Sequence, residues 1–363
     1  MAGKKRKKRA RKPKLLYIIT VSLFLIIAGL GSFLYFKSLY YERKFSELDL
    51  KVERGISSLG LSIVSKKIKK VGPFPGYSQA EETVKVPFDY PLDGFKMRIR
   101  NAFPRSVQIQ RIEEKNLKDA YQVFVRLGFG RMTTHILKFF LKKIKIALLI
   151  DDFGYTQGEV TDLFLRDLDI PLTISIIPGT SYAGLIAQQA YKRKKEVMLH
   201  LPMEPKGQFK NEYKWIIMSG MGKEEIENVT RKAYESIPHC AGVNNHMGSL
   251  ATSKEEVMRP VLEVVKEKNL YFVDSKTTSS SVAFPLARKL GIRCTSRDVF
   301  LDNEKSYSYI KKQFQRLVLV ARKKGRALGI AHASPTTARA IREIICDLDK
   351  RKISLVYVSD IVE

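Results

Sequence analysis

Six side chains capable of chemistry stand where short apolar runs end: the adjacent pair Asp151 and Asp152, then His200, His246, Asp274 and His332. The chain has five histidines, and three of them occupy such positions. Buried carboxylates and imidazoles need partners, so histidines and aspartates gathered at one rim of a fold point to a site and not to packing. Histidine and aspartate ligands without cysteine suit zinc or a harder divalent ion, and an open coordination position would make the site catalytic. The Asp-Asp pair permits a division of labour in which one carboxylate holds the metal and the other takes a proton from an attacking water. His332 would then protonate a leaving group. The chemistry this implies is metal-assisted hydrolysis.

Such residues need a scaffold that brings strand ends together. From Lys143 onward, short apolar strands alternate with amphipathic helices, the strands being expected at 144–150, 172–177, 196–200, 241–245, 270–274, 292–295, 327–331 and 354–358. Helical spacing appears in Ile226, Val229, Ala233 and Ile237, and again in Ile310, Phe314, Leu317 and Ala321. Ser253 and Glu256 stand at capping-box spacing. Strict alternation implies a parallel sheet with helical crossovers. The expected fold is therefore α/β, a seven- or eight-stranded parallel β/α barrel over 144–363, with its functional groups at the C-terminal strand ends. A doubly wound open sheet is the alternative.

The first third of the chain has another character. Residues 15–36 are 22 consecutive uncharged residues, enough at 1.5 Å per residue to cross a hydrocarbon core of about 30 Å. Nine Lys and Arg precede this run within residues 1–14, against Lys37, Arg43 and Lys44 after it. The positive-inside bias therefore predicts a single-pass inner-membrane protein with a cytoplasmic N-terminus and an extracytoplasmic C-terminal domain. Gly29 and Gly31 would suit a signal peptidase, but the apolar run continues past them, which favours an uncleaved anchor. The basic residues of 4–14 are expected to meet anionic lipid headgroups. Phe45, Leu48, Val52, Ile56, Leu59 and Ile63 predict an amphipathic stalk within 37–71. Gly72-Pro73-Phe74-Pro75-Gly76 reads as a linker, and 72–143 as a small α+β region with a helix near 91–102 and β-segments around 106–112, 119–127 and 132–141. In that region His135 reads as a structural histidine.

Lys and Arg total 65 against 37 Asp and Glu, a net +28. A basic surface favours anionic neighbours, but no aromatic-basic motif accompanies the charge, so no nucleic-acid partner is expected. Cys240, Cys294 and Cys346 are odd in number and far apart, which argues against a disulfide scaffold or a thiolate zinc site and leaves room for at most one pair.

Ile150-Asp151-Asp152-Phe153-Gly154, then Glu196 to Pro205 (Glu-Val-Met-Leu-His-Leu-Pro-Met-Glu-Pro), then Gly242-Val243-Asn244-Asn245-His246-Met247-Gly248-Ser249 resemble the divergent polysaccharide deacetylase family. Phe272 to Thr278, Asp298 to Asn303 and Gly329-Ile330-Ala331-His332 continue the resemblance in order. It implies a barrel related to metal-dependent carbohydrate esterases that remove N- or O-acetyl groups from polysaccharides. It further implies Asp151 as the base, Asp152, His200 and His246 as metal ligands, and His332 as the general acid. Two departures stand out. Glu204 occupies the place of a second histidine that three intervening residues separate from the first in standard deacetylases, where it would complete the site or cap a loop. Asn244-Asn245-His246-Met247 replaces an Arg-x-Pro-Tyr motif, so the ligand role passes to His246.

Asp274 is expected close behind the ligands. Asp302 and Asn303 would line the cleft or end a turn. His239 reads as a surface or packing residue, and the single tryptophan, Trp215, as a packing anchor. The expected function is a membrane-anchored, metal-dependent hydrolase, most simply a zinc enzyme, removing acetyl groups from an envelope polysaccharide or peptidoglycan-like glycan. A non-catalytic envelope-binding module that keeps the barrel and the metal is the alternative.

Overall fold

The computed structural model describes residues 13–363; residues 1–12 of the expected basic tail lie outside the described residues. The chain divides into two compact units, one ending at Lys142 and one running from Lys143 to Glu363.

The first unit begins with one long helix, α1 (Pro13–Ser58). Its first half is long and apolar enough to cross a membrane, and none of its most apolar window is buried by protein. Its second half is amphipathic: Phe45, Leu48, Val52 and Ile56, three or four apart, are buried. The stalk expected at 37–71 is thus continuous with the apolar run and stops at Ser58. Gly60 adopts a left-handed φ of 71° there, which reverses the chain at little cost to glycine. Ile63 belongs to the next element, a hairpin of β1 (Ser62–Val71) and β2 (Tyr77–Lys85), paired antiparallel from Ser62–Lys85 to Val71–Tyr77. Residues 72–76, expected as a linker, form the turn of this hairpin. The strand β1 escaped the sequence reading because its Lys66, Lys67, Lys69 and Lys70 interrupt any apolar alternation. It is an edge strand, and charge on an edge discourages pairing with another chain.

Helix α2 (Phe95–Ala102) and strands β3 (Gln108–Asn116), β4 (Ala120–Phe129) and β5 (Met132–Lys142) complete a five-stranded sheet of order β1-β2-β5-β4-β3. Val84, Phe95, Ile99, Val123, Val125, Leu137 and Phe139 form its core with the inner face of α1. His135 is fully buried there, its ring stacked 5.1 Å from Phe45 and its Nε2 3.0 Å from Asp49 Oδ1.

In the second unit strand and helix alternate as expected: β6 (Ile144–Phe153), α3 (Glu159–Asp162), β7 (Thr173–Ile176), α4 (Ala183–Lys192), β8 (Glu196–Met203), α5 (Lys223–Glu235), β9 (Cys240–Met247), α6 (Glu255–Glu267), β10 (Tyr271–Asp274) and α7 (Ala283–Lys289). Then come β11 (Cys294–Ser296), β12 (Val299–Phe300), α8 (Tyr307–Lys324), β13 (Arg326–His332), α9 (Pro335–Cys346) and β14 (Ile353–Val356). All the ladders are parallel, in the order β11-β10-β9-β8-β7-β6-β13-β12. The two ends of this path, β11 and β12, are separated by only Arg297 and Asp298. The segment 294–300 therefore pairs with β10 at its start and with β13 at its end, and closes a seven-membered ring as one bent strand. The strand β14 pairs with the first half of β6, Ile353 opposite Ile144, below the stretch that β7 occupies.

Ala147, Leu149, Met198, Tyr271, Val273, Leu328 and Ile330 form one buried cluster, and the alternate residues Ile146, Leu148 and Ile150 are buried as well. Strands covered on both faces read as continuous apolar runs, which is why the sequence marks them clearly. Gly242 is required where it stands, since a Cβ there would lie 2.6 Å from the Tyr271 ring. The expected Ser253 capping box does not form. Ser253 closes a short 3-10 turn, its hydroxyl donating to the Leu250 carbonyl, and α6 starts after Lys254. Ser306 and Ser334 do cap α8 and α9, each accepting from a backbone N–H three residues on.

Because the second unit contains its own core and the ring closes without residues before Lys143, a chain of residues 143–363 expressed alone should unfold in one cooperative thermal transition. A broad, non-cooperative melt accompanied by dye binding to exposed apolar surface would show that it does not fold as a unit.

Candidate functional site

The parallel register sets the positions at the C-terminal rim. Asp151 pairs with His332 across β6 and β13, and His200 pairs with Asn244 across β8 and β9. Side chains two apart on a strand share a face, so Asn244 and His246 point the same way. Asp151 and Asp152 would diverge on a regular strand. Asp152 instead has a φ of 67°, which bends β6 at its end and turns both carboxylates toward the same space.

Asp152, His200 and His246 present one ligand atom each, all within 4.8 Å of one another. Asp152 Oδ1 lies 3.3 Å from His200 Nε2 and 3.1 Å from His246 Nδ1, and the two ring nitrogens are 3.0 Å apart. Asp152 Oδ1 is itself buried without a hydrogen bond of good geometry. An orphaned buried acceptor costs about 1–3 kcal/mol, and a cation at the centre of this triangle would satisfy it together with two imidazole lone pairs.

The outer partners favour that use. Asp151 as a carboxylate only accepts, so the Asn244 amide NH2 faces it, with Nδ2 3.1 Å from Asp151 Oδ1. The Asn244 oxygen then accepts from Ser175 Oγ at 2.5 Å and from His200 Nδ1 at 3.0 Å. His200 thereby carries its proton on Nδ1 and turns Nε2 toward the triangle. Tyr213 does the same for His246, its hydroxyl 2.8 Å from Nε2.

Burial works to raise the Asp152 pKa, but contacts from His200 and His246 override it and hold the carboxyl well below its usual range. Burial alone would lower His200, whereas Asp151 and Asp152 raise it. His246 is lowered, first by burial and further by His200 beside it. Asp151 behaves oppositely to its neighbour. Burial pushes it up to about 6, and the Asp152 charge adds to this while His200 opposes it. His332, half-buried, is raised by Asp302, whose Oδ1 lies 3.3 Å from its Nδ1. Asp302 is itself fixed by accepting from the His332 backbone N–H at 2.9 Å and from Thr337 Oγ1 at 2.7 Å. His332 Nε2 points back across the site, 3.8 Å from Asp152 Oδ2. The site opens into a cavity of about 340 Å3 whose wall includes Asp151, His200, His246, Arg297, Phe300 and His332.

The other expected residues take different places. Asp274 accepts from Lys276 N–H and Ser281 Oγ, both at 2.8 Å, and so shapes the loop after β10 instead of contacting a candidate ligand. Of its two expected roles Glu204 takes the loop cap, its carboxylate accepting from Ser219 N–H at 2.6 Å. Asn245 ties the rim together, accepting from Ser275 N–H and donating to the Met247 carbonyl. His239 is exposed and stacks on Tyr191 at 3.8 Å. Trp215 is half-buried under Lys214. A second group, Asp49, Glu82 and His135, also meets the spacing for a metal. There, however, the Lys66 ammonium lies 2.6 Å from Asp49 and 3.1 Å from Glu82, so a cation is already supplied by the chain.

Sequence reasoning missed Ser175, Tyr213, Ser275 and Arg297. Arg297 carried a signal: it interrupts the closing strand, and its guanidinium donates to the carbonyls of Ser275 and Lys276. Tyr213 carried none, because it reaches the rim from a long irregular loop.

The fold and this rim define a parallel β/α barrel with a histidine-carboxylate centre at its C-terminal mouth. The chain belongs to the divergent polysaccharide deacetylase family, whose sequence model matches residues 148–362. It is 33% identical over 218 residues to the uncharacterized protein YibQ of Escherichia coli (strain K12), covering 60% of this chain and 67% of that protein. It is 32% identical over 226 residues to an uncharacterized protein of Haemophilus influenzae, covering 62% of this chain and 78% of that one. The crystal structure of the uncharacterized protein ATU2773 from Agrobacterium tumefaciens C58 is similar in fold, with a TM-score of 0.58 and 23% identity over 61% of this chain and 89% of that chain.

Outer partners of metal ligands typically change affinity 10–100-fold. Asn244→Ala should therefore weaken divalent-ion binding by about 10–100-fold, measured by competition against a chromogenic chelator, while His200→Ala and His246→Ala should each abolish stoichiometric binding. Unchanged ion content in both histidine variants would remove these residues from the ligand set.

Proposed function

We propose that this protein is a membrane-anchored, metal-dependent hydrolase that removes acetyl groups from an envelope polysaccharide. The observation that carries the reading is the pairing of two unlike carboxylates on one bend: Asp152, held ionised among two imidazoles, and Asp151, raised by burial beside them. Neighbouring titratable groups whose surroundings push their pKa values apart are how acid-base roles are assigned in a site. Family membership supports an acetylated glycan as the substrate class. The two-histidine, one-aspartate donor set fits a divalent ion, and zinc best. When bound, the ion would polarise the acetyl carbonyl and offset the charge that develops on its oxygen.

The remaining steps belong to the chain. Asn244 donates to Asp151 Oδ1 and so orients the carboxylate; from there Asp151 accepts the proton of the attacking water. Asp302 holds His332 by Nδ1 and leaves Nε2 toward the cavity. With its pKa raised by that neighbouring carboxylate, His332 delivers a proton to the leaving nitrogen. Phe300 packs edge-on against the His332 ring at 4.9 Å and limits its rotation.

General acids and bases contribute about 10²–10⁴-fold, so Asp151→Asn and His332→Ala should each lower kcat for acetate release from N-acetylated glycan fragments on that scale. Metal content should be unchanged in both. The rate should fall as pH drops through the raised pKa of Asp151, at or below about 6 once a cation stands beside it. It should fall again as pH rises through the raised pKa of His332. Loss of metal from Asp151→Asn would reassign the two aspartates, and a metal-loaded wild type inert on a broad glycan panel would leave the envelope-binding reading in its place.

The anchor is the apolar half of α1, and the nine cations before it support a cytoplasmic N-terminus. An export-dependent reporter fused after Glu363 should be active. Activity only from a cytoplasm-dependent reporter at the same position would reverse the topology.

A further inference from the structure

Helix α1 leaves its apolar stretch and enters the core of the first unit without a break. Several contacts fix how the sheet runs beside it. Lys66 of β1 pairs with Asp49 and Glu53, at 2.6 and 2.9 Å, whereas Lys70 pairs with Glu42. Ser78 Oγ at the start of β2 donates to the same Glu42, at 3.1 Å. The hairpin therefore climbs α1 toward the N-terminal end of the helix. Four strand residues advance about 13 Å, and the eight helical residues from Leu50, between Asp49 and Glu53, back to Glu42 cover about 12 Å, so the two rises agree.

Beyond Glu42 the hairpin continues to its turn. Phe36, the last residue of the uncharged run, lies about 9 Å from Glu42 along the helix axis. The four residues from Lys70 to Phe74 can reach up to about 13 Å in the same direction. Phe74 is 81% exposed. Around it the helix and the hairpin ends form an aromatic and basic collar. Tyr77 lies 6.3 Å from Tyr41, Phe129 at the end of β4 lies 6.4 Å from Tyr40, and Lys37 Nζ is 5.7 Å from the Tyr41 ring. Arg131, in the turn after β4, is exposed.

We propose that this collar is a membrane-docking surface: the β1–β2 turn, led by Phe74, inserts into the interfacial zone of the same bilayer that α1 spans. Aromatic side chains and flanking cations are the composition that favours the headgroup level. The inference rests on reading the first half of α1 as a membrane span. It gives residues 72–76 a role that a plain turn does not explain, since a turn has no need of a bare phenylalanine at its tip. Held at two points along one rigid helix, the first unit would stand at a fixed height above the lipid.

The test uses the full chain reconstituted in vesicles of equal parts phosphatidylethanolamine and phosphatidylglycerol. Trp215 is replaced by Phe, and a single tryptophan is introduced by Phe74→Trp or, as a control, by Met97→Trp. Met97 is 68% exposed on α2 in the same unit. The Phe74→Trp protein should emit further to the blue, and lipids brominated near the headgroup end of their chains should quench it more than the control. Retention in the vesicles after an alkaline carbonate wash reads the span separately. Retention with equal, water-like emission from both variants overturns the docking surface alone. Release by carbonate overturns the span and the docking surface with it.

Discussion

The rim depends on one backbone bend. An extended strand sends consecutive side chains to opposite faces, and Asp151 and Asp152 could not then serve one site. A left-handed φ of 67° at Asp152 brings them together, at a conformational cost of about 1–3 kcal/mol. The bend is held on both sides. Ala333 N–H donates to the Asp151 carbonyl, Ile177 N–H to Phe153 and Tyr182 N–H to Gly154. Gly154 comes next with a φ of 125°, and a Cβ there would lie 2.1 Å from Thr180 Oγ1. Met247 and Lys276, with φ of 52° and 50°, repeat the left-handed conformation where β9 and β10 end. Non-glycine residues in this region tend to gather where strain is part of function.

Asn244 ties that geometry together. One buried amide orients Asp151 through its NH2 and His200 through its oxygen, with Ser175 and Ser275 completing its four bonds. The proposed base and one proposed ligand are thus positioned by the same side chain. His246 stands two residues on, with the Tyr213 hydroxyl 2.8 Å from its Nε2.

Much of the second unit was legible in the sequence because a parallel barrel buries both faces of its strands. Eight apolar runs between amphipathic helices stand close to the eight expected positions, and the rim residues follow from where those runs end. The exact ends were less legible: β6, β8 and β9 each continue two or three residues past their apolar runs, which is where Asp151, Asp152 and His246 lie. The strand β12 was missed because two residues of a bent segment leave no period. In the first unit, charge hid β1, and Gly72 to Gly76 looked like a linker because turn residues serve equally in linkers and hairpins. Loop residues such as Tyr213 are set by tertiary contact alone, and no local pattern announces them.

The two units also divide the physical tasks. The first is organised around α1 and the charged network of Lys66, Asp49 and Glu82, in which a lysine supplies the cation. The second leaves an equivalent position among Asp152, His200 and His246 without one. Anomalous diffraction from crystals of the zinc-loaded protein tests this contrast most directly. One ion peak is expected, about 2.0–2.2 Å from Asp152 Oδ1, His200 Nε2 and His246 Nδ1, with Asp151 outside the coordination shell. A peak at Asp49, Glu82 and His135 in place of the rim, or zinc bound through Asp151 with Asp152 free, would contradict it.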